Sequence, residues 1–207
     1  MATGIKKNSA RIREEQSERI LKAARLLFAH KGYSDTTMTD IAAAAKISYG
    51  LAYHYFKDKG EIFTRVIEEA MHSSMALMEY ARQMSGTPWE HLQWLTTRML
   101  EGAQHQPEAF MVVMQAFAND AIPEEAREFA WKSGTVSLET FKQMIIEGQK
   151  AGQVVVGDPD HLASAFGWCI QGMALGMGFM NRKPDSAPQL PVTSYPNADD
   201  LLRMLKA

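Results

Sequence analysis

Apolar residues recur every three or four positions along most of the chain, which is the spacing of one face of an α-helix. In the first clear case, Ile20, Ala24, Leu27 and Phe28 form one stripe, with charged residues between them. Gly32 follows and ends the helix, because glycine readily adopts the left-handed conformation found past a helix terminus. The pattern predicts a helix from about residue 9 or 11 to residue 31.

Two short helices are predicted next, joined by a tight turn. Thr37 and Asp40 have the spacing of a capping box, in which two side chains satisfy backbone N–H groups at a helix N-terminus. Ser48 is spaced to cap the second helix, and Lys46 and Ile47 form the turn between the two. Such a pair is the helix-turn-helix unit, whose second helix enters the major groove of DNA.

Capping residues and prolines divide the rest of the chain. Asp58 and Glu61 predict the start of a long helix. Residues 183–196 are rich in proline and serine and are predicted to be a loop, and strand-like character is confined to residues 154–156. We therefore expect an all-α protein of about nine helices, with a DNA-binding domain over residues 1–57 and a helical ligand-binding and dimerisation domain over residues 58–207. Four prolines are spaced to occupy the first turn of a new helix: Pro88, Pro107, Pro123 and Pro159.

Charge is distributed unevenly between these two regions. The 207-residue chain has a formal net charge of −2, yet residues 1–65 contain 12 Lys and Arg against 7 Asp and Glu. The remaining residues contain 10 basic and 17 acidic side chains. A basic head on an acidic body favours a polyanionic partner at one end, although charge alone leaves chance unevenness open. Lys6, Lys7, Arg11 and Arg13 form a basic N-terminal arm, which we expect to be mobile without DNA.

The second short helix has an unusual composition. Gly50 lowers helix stability by about 1 kcal/mol relative to alanine, and close approach of the backbone to DNA would explain it. Tyr53, His54 and Tyr55 follow, and two lysines come soon after them. Hydroxyl, imidazole and ammonium donors at a helix flank suit phosphate oxygens. The alternative, that these rings are core, applies to Phe56 and to one tyrosine ring at most.

Taken together, the positions described so far resemble the TetR family of repressors over about residues 10–66. Over residues 67–207 only the general layout is similar. The resemblance implies a regulator that binds a palindromic double-stranded operator as a homodimer, most simply a repressor released by a small apolar or amphipathic effector. An activator or a corepressor-dependent regulator of the same fold is the alternative. The matching positions are Ile20-Leu21, Ala23-Ala24, Leu27-Phe28, Gly32-Tyr33, Thr36-Thr37, Asp40-Ile41-Ala42, Ser48, Tyr53-His54-Tyr55-Phe56-Lys57 and Lys59.

The resemblance also implies roles for individual residues. Lys46 stands where the family usually has glycine, so a left-handed conformation there would be strained. Leu51 stands where the family is often polar, so base recognition is expected to depend mainly on Tyr49 and on DNA shape. Phosphate contacts are expected from Thr37, Ser48, Tyr53, His54, Tyr55 and Lys59, and base contacts from Tyr49, Gly50 and Leu51.

The last long predicted helix has two apolar faces, one of large residues and one of small residues. The family pairs its two final helices with those of a second copy, and this helix together with residues 198–205 looks like that pair. A purely internal role for both faces is the alternative. The expected dimer-interface residues are Ala165, Cys169, Gly172, Gly176, Leu201 and Leu205.

The ligand pocket is implied by the family alone. Methionine totals 14 in the chain, and methionine and tryptophan make adaptable apolar surfaces for varied ligands. Residue by residue, a place in the core is the competing interpretation. The candidate pocket residues are Trp94, Met114, Gln115, Trp131 and Trp168.

Several other classes of protein are disfavoured by what the sequence lacks. We find no catalytic cluster, no metal-ligand spacing among the six histidines, and no motif for a cofactor. No signal peptide or membrane-spanning run is recognisable, and the lone Cys169 forms no internal disulfide, so we expect a cytoplasmic protein. Two rival hypotheses remain: a helical module that binds protein instead of DNA, and a helical enzyme acting on a small molecule.

Overall fold

The computed structural model describes residues 2–180 and 196–207, with side chains from residue 11 onward. Within these ranges the chain forms nine helices and no strand, which confirms the predicted all-α class. Val154 and Lys206 form one isolated antiparallel bridge. All but the last residue of the predicted 183–196 loop lies outside the described residues. The helices are α1 (Ala2–Lys31), α2 (Met38–Ala44), α3 (Tyr49–Tyr55), α4 (Lys59–Gln83), α5 (Pro88–His105), α6 (Pro107–Ala118), α7 (Glu124–Lys150), α8 (Pro159–Met180) and α9 (Ala198–Leu202).

The largest difference from the predicted boundaries is at the N-terminus. α1 begins at Ala2, so the segment predicted to be a mobile basic arm forms the first turns of this helix. Residues 2–31 contain no proline and many Ala, Glu, Gln, Lys and Arg, which have high helix propensity. Helix formation therefore continues well before the apolar stripe that sequence periodicity detects.

The chain folds into two compact units. The first comprises residues 1–69 and 112–130, and the second comprises residues 70–111 and 131–207. The first unit thus extends past the boundary predicted at residues 57/58. The reason is the start of α4, where Ile62, Phe63 and Ile67 are fully buried and complete the core of the first unit.

In the second unit, α5 packs against α8 and α9. Its core contains Leu92, Leu95 and Ile170, and the rings of Phe141 and Phe166 stack with centroids 5.1 Å apart. The chain end is fixed by backbone bonding, since the Val155 N–H donates to the Leu205 carbonyl at 2.9 Å. Burial of this apolar surface is the main stabilising contribution.

α8 is more apolar than the sequence analysis allowed. An 18-residue window within it has a mean hydropathy of 1.3, so by length and composition it is long enough and apolar enough to cross a membrane. One-third of that window is buried, including Phe166 and Ile170. A core helix with a second apolar face meets the same criteria.

Candidate nucleic-acid interface

Thr37 caps the start of α2 as the sequence predicts. Its hydroxyl accepts from the Asp40 N–H at 3.1 Å and donates to the Asp40 carboxylate at 2.8 Å, while the Thr37 N–H donates to that carboxylate at 3.0 Å. Lys31 also donates to Asp40, at 3.0 Å. The hydrogen bond from Lys31 contributes most to lowering the pKa of Asp40 below its usual value, and the hydrogen bonds from Thr37 lower it further.

The turn after α2 forces Lys46 into the left-handed conformation, with φ of 57°. The Lys46 N–H donates to the Ala43 carbonyl at 3.1 Å, and the Ile47 N–H donates to the Ala42 carbonyl at 3.0 Å. This is the Schellman arrangement, which normally uses glycine at the position of Lys46. The strain expected for lysine is therefore present, and the turn keeps its geometry.

α3 is short and only thinly buried. The Ser48 side chain accepts from the Leu51 N–H at 3.2 Å, which leaves the hydroxyl proton of Ser48 available as a donor. Ala52 is the one buried residue of α3 and attaches it to the core. The rest of the helix surface faces solvent or is partly covered.

Tyr49 and Tyr53 form a pair on the outer surface of α3. Their ring centroids lie 4.8 Å apart and their hydroxyl oxygens are joined by a 3.2 Å hydrogen bond. The two residues are 53% and 43% exposed, and together they form an exposed aromatic patch. The hydrogen bond with Tyr49 is the main cause that raises the pKa of Tyr53, so its phenol stays protonated near neutral pH.

The remaining residues of α3 are either exposed or half-buried. Gly50 is exposed, and a Cβ built there meets nothing within 4 Å in the described part of the chain, so no contact seen there requires glycine. His54 is exposed and its ring meets that of the half-buried Tyr55 edge-on, with centroids 5.6 Å apart. Leu51 is also half-buried. Phe56 is buried, as the sequence predicts.

Lys59 does not extend outward as the sequence analysis expects of a phosphate ligand. Its ammonium donates to the carbonyls of Tyr33, Ser34 and Thr36, at 2.8, 3.0 and 2.9 Å. It also lies 4.6 Å from the centroid of the Tyr33 ring. Since an ammonium has three N–H donors, all are used inside the chain. In this structure Lys59 fixes the α1–α2 loop.

Sequence reasoning missed several polar contacts that hold this region. Gln115 donates to the Phe28 carbonyl at 2.8 Å and accepts from the Tyr33 N–H at 3.1 Å. Arg19 donates to the Ala45 carbonyl at 2.9 Å and so satisfies the end of α2. Gly60 is buried, and a Cβ there would lie 3.0 Å from Pro123 Cγ. The two residues of each contact are distant in sequence, so no local motif indicates that they meet.

Comparison with known proteins agrees with this geometry. The sequence profile described as "Bacterial regulatory proteins, tetR family" matches residues 20–66, which run from the buried face of α1 through the helix-turn-helix into α4. Residues 20–66 are therefore a TetR-type helix-turn-helix region. The relatives that match this chain are helix-turn-helix transcriptional regulators.

Relatives of this chain include named regulators. The transcriptional regulator HbdR of Aromatoleum sp. (strain CIB) is 31% identical over 134 residues, which cover 65% of this chain and 51% of HbdR. Among solved structures, the MbdR regulator of Azoarcus sp. CIB superposes with a TM-score of 0.74 at 22% identity, covering 90% of this chain and 94% of MbdR. A SmeT–triclosan complex has a TM-score of 0.66 at 20% identity, covering 93% and 92% of the two chains. These structural likenesses establish the fold.

The five candidate pocket residues are divided between the two units: Met114 and Gln115 belong to the first, and Trp94, Trp131 and Trp168 belong to the second. Trp131 and Trp168 are 57% and 68% exposed, and their place in a ligand pocket stays a prediction. Gln115 is bound to the end of α1, and Met114 is half-buried. Trp94 lines an open groove of about 540 Å³ at the end of α4 and the start of α5, together with Met84, Ser85, Gly86, Glu90, Gln93, Thr97 and Arg98.

The six candidate dimer residues also separate. Leu201 and Leu205 are 5% and 2% exposed and belong to the core of their own unit, so their proposed place in an interface is wrong. Their stripe packs inward against α5. On α8, by contrast, Ala165 and Gly172 are exposed, and Cys169 and Gly176 are half-buried. Among the described residues, no group of three or more His, Cys, Asp or Glu side chains could hold a metal ion.

Proposed function

We propose that this protein binds double-stranded operator DNA with α3 in the major groove. The observation that carries the proposal is the outer surface of α3, where Tyr49 and Tyr53 are exposed and Gly50 has open space around it. Among the described residues, no contact requires glycine at position 50, and none encloses the two exposed rings. A partner that approaches the backbone closely and accepts hydrogen bonds accounts for both.

The donors on and beside α3 fit roles in that complex. Ser48, Tyr53 and His54 present hydroxyl and imidazole groups to solvent, and these groups suit phosphate oxygens. Tyr49 lies one helical turn before Tyr53 and is the candidate for contact with base edges. The half-buried Leu51 offers apolar surface to a thymine methyl group. Thr37 acts mainly as the cap of α2, and Tyr55 supports the edge of His54.

The protein acts as a homodimer in this proposal. Ala165, Trp168, Gly172 and Phe179 recur at helical spacing and are exposed on α8, whereas Leu138 is exposed on α7. α7 and α8 are packed together through Phe141 and Phe166, and through an ion pair of 2.9 Å between Lys142 and Asp160. A face of this kind covered by a second copy creates a two-fold dimer. Two α3 helices then meet successive major grooves about 34–36 Å apart on a palindrome.

The response to an effector is the final part of the proposal. SmeT, a structural neighbour, is solved in complex with triclosan. In this chain the groove beside Trp94 has a volume in the range of small-molecule sites, about 300–1,000 Å³. Trp94 offers an apolar wall, and Thr97 and Arg98 offer polar groups, which suits an amphipathic effector. We propose that effector binding releases the operator, so that the protein acts as a repressor in the cytoplasm.

The test is binding to labelled duplexes that tile the promoter of the protein's own gene, measured by fluorescence anisotropy over a range of salt. We expect one duplex to bind far more tightly than its scrambled version, with affinity falling as salt rises. Tyr53→Ala should weaken that binding about tenfold. Tyr80→Ala is the matched control, because Tyr80 is 58% exposed but lies in the second unit. Equal binding to every sequence, or none, would refute the proposal.

A further inference from the structure

The loop between α1 and α2 is held from two sides by side chains distant in sequence. From α6, the Gln115 amide donates to the Phe28 carbonyl and accepts from the Tyr33 N–H, at 2.8 and 3.1 Å. From α4, the Lys59 ammonium binds three loop carbonyls. All of these residues belong to the first unit.

The two Gln115 contacts lie where the chain leaves α1. The Phe28 carbonyl also accepts from the Gly32 N–H at 3.0 Å, and Gly32 adopts the left-handed conformation with φ of 84°. Tyr33 is the next residue, and its N–H takes no part in the hydrogen bonding of the helix. One primary amide therefore satisfies a carbonyl on one side of the turn and an N–H on the other. This fixes the direction in which the loop departs.

The ring of Tyr33 also holds this loop in place. Its centroid lies 5.8 Å from that of the Phe28 ring and 5.2 Å from that of the Phe63 ring, in a cluster of three aromatic side chains. Burial, followed by the charge of Asp58, raises the pKa of Tyr33, so the ring stays neutral. Backbone and side chain of one residue are thus fixed by different elements, Gln115 from α6 and Phe63 from α4.

What this loop positions is the helix-turn-helix. Four residues after Tyr33 the chain reaches Thr37, the N-cap of α2, and the tight turn at Lys46 then fixes α3 relative to α2. A shift at Tyr33 is therefore carried into the direction of the whole helix-turn-helix. Operator binding by a dimer is sensitive to such a shift, because both recognition helices must fit the spacing of the grooves.

We propose that Gln115 is a positioning residue for operator binding, through which the orientation of the helix-turn-helix depends on α6. The inference rests on the proposed DNA-binding function and deepens it. α6 begins at Pro107, and its first five residues belong to the second unit, so the chain enters the first unit within this helix. A rotation of α6 that withdraws the amide removes one of the two donors to the Phe28 carbonyl and the acceptor of the Tyr33 N–H. Loss of operator affinity follows without any contact between effector and DNA-binding residues.

Two substitutions at Gln115 test this, with operator affinity given relative to the wild type at each pH. Gln115→Leu keeps the approximate volume but neither hydrogen bond, and we expect about tenfold weaker binding at every pH. Gln115→Glu accepts from Tyr33 but cannot donate to Phe28 while ionised, so binding should be weak at about pH 7.5. Near pH 5 partial protonation of the carboxyl supplies the missing donor, and the deficit should fall to below about threefold. Division by the wild-type value removes the titration of groups that both proteins share.

A matched control and a measurement without DNA separate positioning from general destabilisation. Gln149→Leu removes two side-chain hydrogen bonds, of 3.0 and 2.9 Å, to the carbonyls of Val155 and Gly157 in the second unit and should leave operator affinity unchanged. Hydrogen exchange of the Tyr33 amide should accelerate in Gln115→Leu and remain protected in Gln149→Leu. If the wild type binds its operator and Gln115→Leu binds it equally, or if Gln115→Glu shows no recovery at low pH, the inference fails and the proposed function stands. A wild type that binds no duplex overturns both.

Discussion

Exposed aromatic side chains occur in both compact units, but their surroundings differ in chemistry. On α3, Tyr49 and Tyr53 carry hydroxyl groups and stand beside Ser48 and His54. On α8, Trp168 and its exposed neighbours are mainly apolar, with small residues such as Ala165 and Gly172 between them.

Similar exposure therefore indicates two different partners. A ring with a hydroxyl among other donors matches a surface of acceptors such as phosphates. A large ring among small residues matches another apolar protein surface, which can approach closely and exclude water. A cluster of exposed aromatic or apolar residues marks a candidate binding surface, whereas the neighbouring side chains indicate what binds there.

The largest effect is expected from placing a charge on the apolar face of α8. Trp168 is 68% exposed in the single chain, so Trp168→Glu should leave its folding nearly unchanged. In the proposed dimer the change buries an unpaired carboxylate in each of two symmetry-related positions. We expect dimer affinity to fall by about 100-fold or more, as measured by sedimentation equilibrium.

Val156→Glu provides the control for that change. Val156 is also apolar and is 93% exposed, but it lies in the connection between α7 and α8. This variant should remain dimeric. If Trp168→Glu is as dimeric as Val156→Glu, the apolar face of α8 is not the interface.

The next largest effect separates two lysines beside α3. Lys59→Met removes three hydrogen bonds to loop carbonyls, and we expect the free energy of unfolding to fall by about 2–3 kcal/mol. Lys57 is exposed, so Lys57→Met should change stability by less than about 0.5 kcal/mol. Urea denaturation measures both. Equal effects of the two substitutions would show that the Lys59 contacts contribute little.

A smaller effect, of opposite sign in two measurements, is expected at Gly50. Space is open at this position, so Gly50→Ala should stabilise the free protein by up to about 1 kcal/mol. The same methyl group should obstruct close approach to DNA and weaken operator binding about tenfold.

Gly102→Ala is the matched control, because Gly102 lies on α5 and also has nothing within 4 Å of a built Cβ. It should raise stability and leave operator binding unchanged. Unaltered binding by Gly50→Ala would mean that the backbone of α3 does not approach the duplex.

Sequence patterns predicted the parts of this structure that are encoded locally. These parts depend on residues that are only a few positions apart. They are the caps at Thr37 and Ser48, the prolines at the start of α5 and α8, and the turn at Lys46. The interactions of Lys59 and Gln115 join residues 23 to 87 positions apart. Their residue types gave no sign of a partner, because lysine and glutamine are usually solvated.

Periodicity also identified apolar faces without showing what covers them. We assigned both the stripe of Leu201 and Leu205 and the stripe of Ala165 and Gly172 to the dimer interface, yet the first is buried and the second exposed. Both patterns satisfy the same helical spacing. Only the packing of the whole unit decides which stripe faces the core and which remains for a partner.

The smallest expected effect concerns strain in the turn before α3, and it tests whether that region is optimised for stability. Lys46 has φ of 57°, which costs a residue with a side chain about 1 kcal/mol or more. Lys46→Gly relieves this strain but increases the freedom of the unfolded chain, so the net stabilisation should be about 0.5 kcal/mol. Ala43→Gly, three residues earlier within α2, should instead destabilise by about 1 kcal/mol. Urea denaturation with an unchanged slope distinguishes the two signs. If both glycine substitutions destabilise the protein, then the Lys46 side chain stabilises the turn by more than its backbone strain costs.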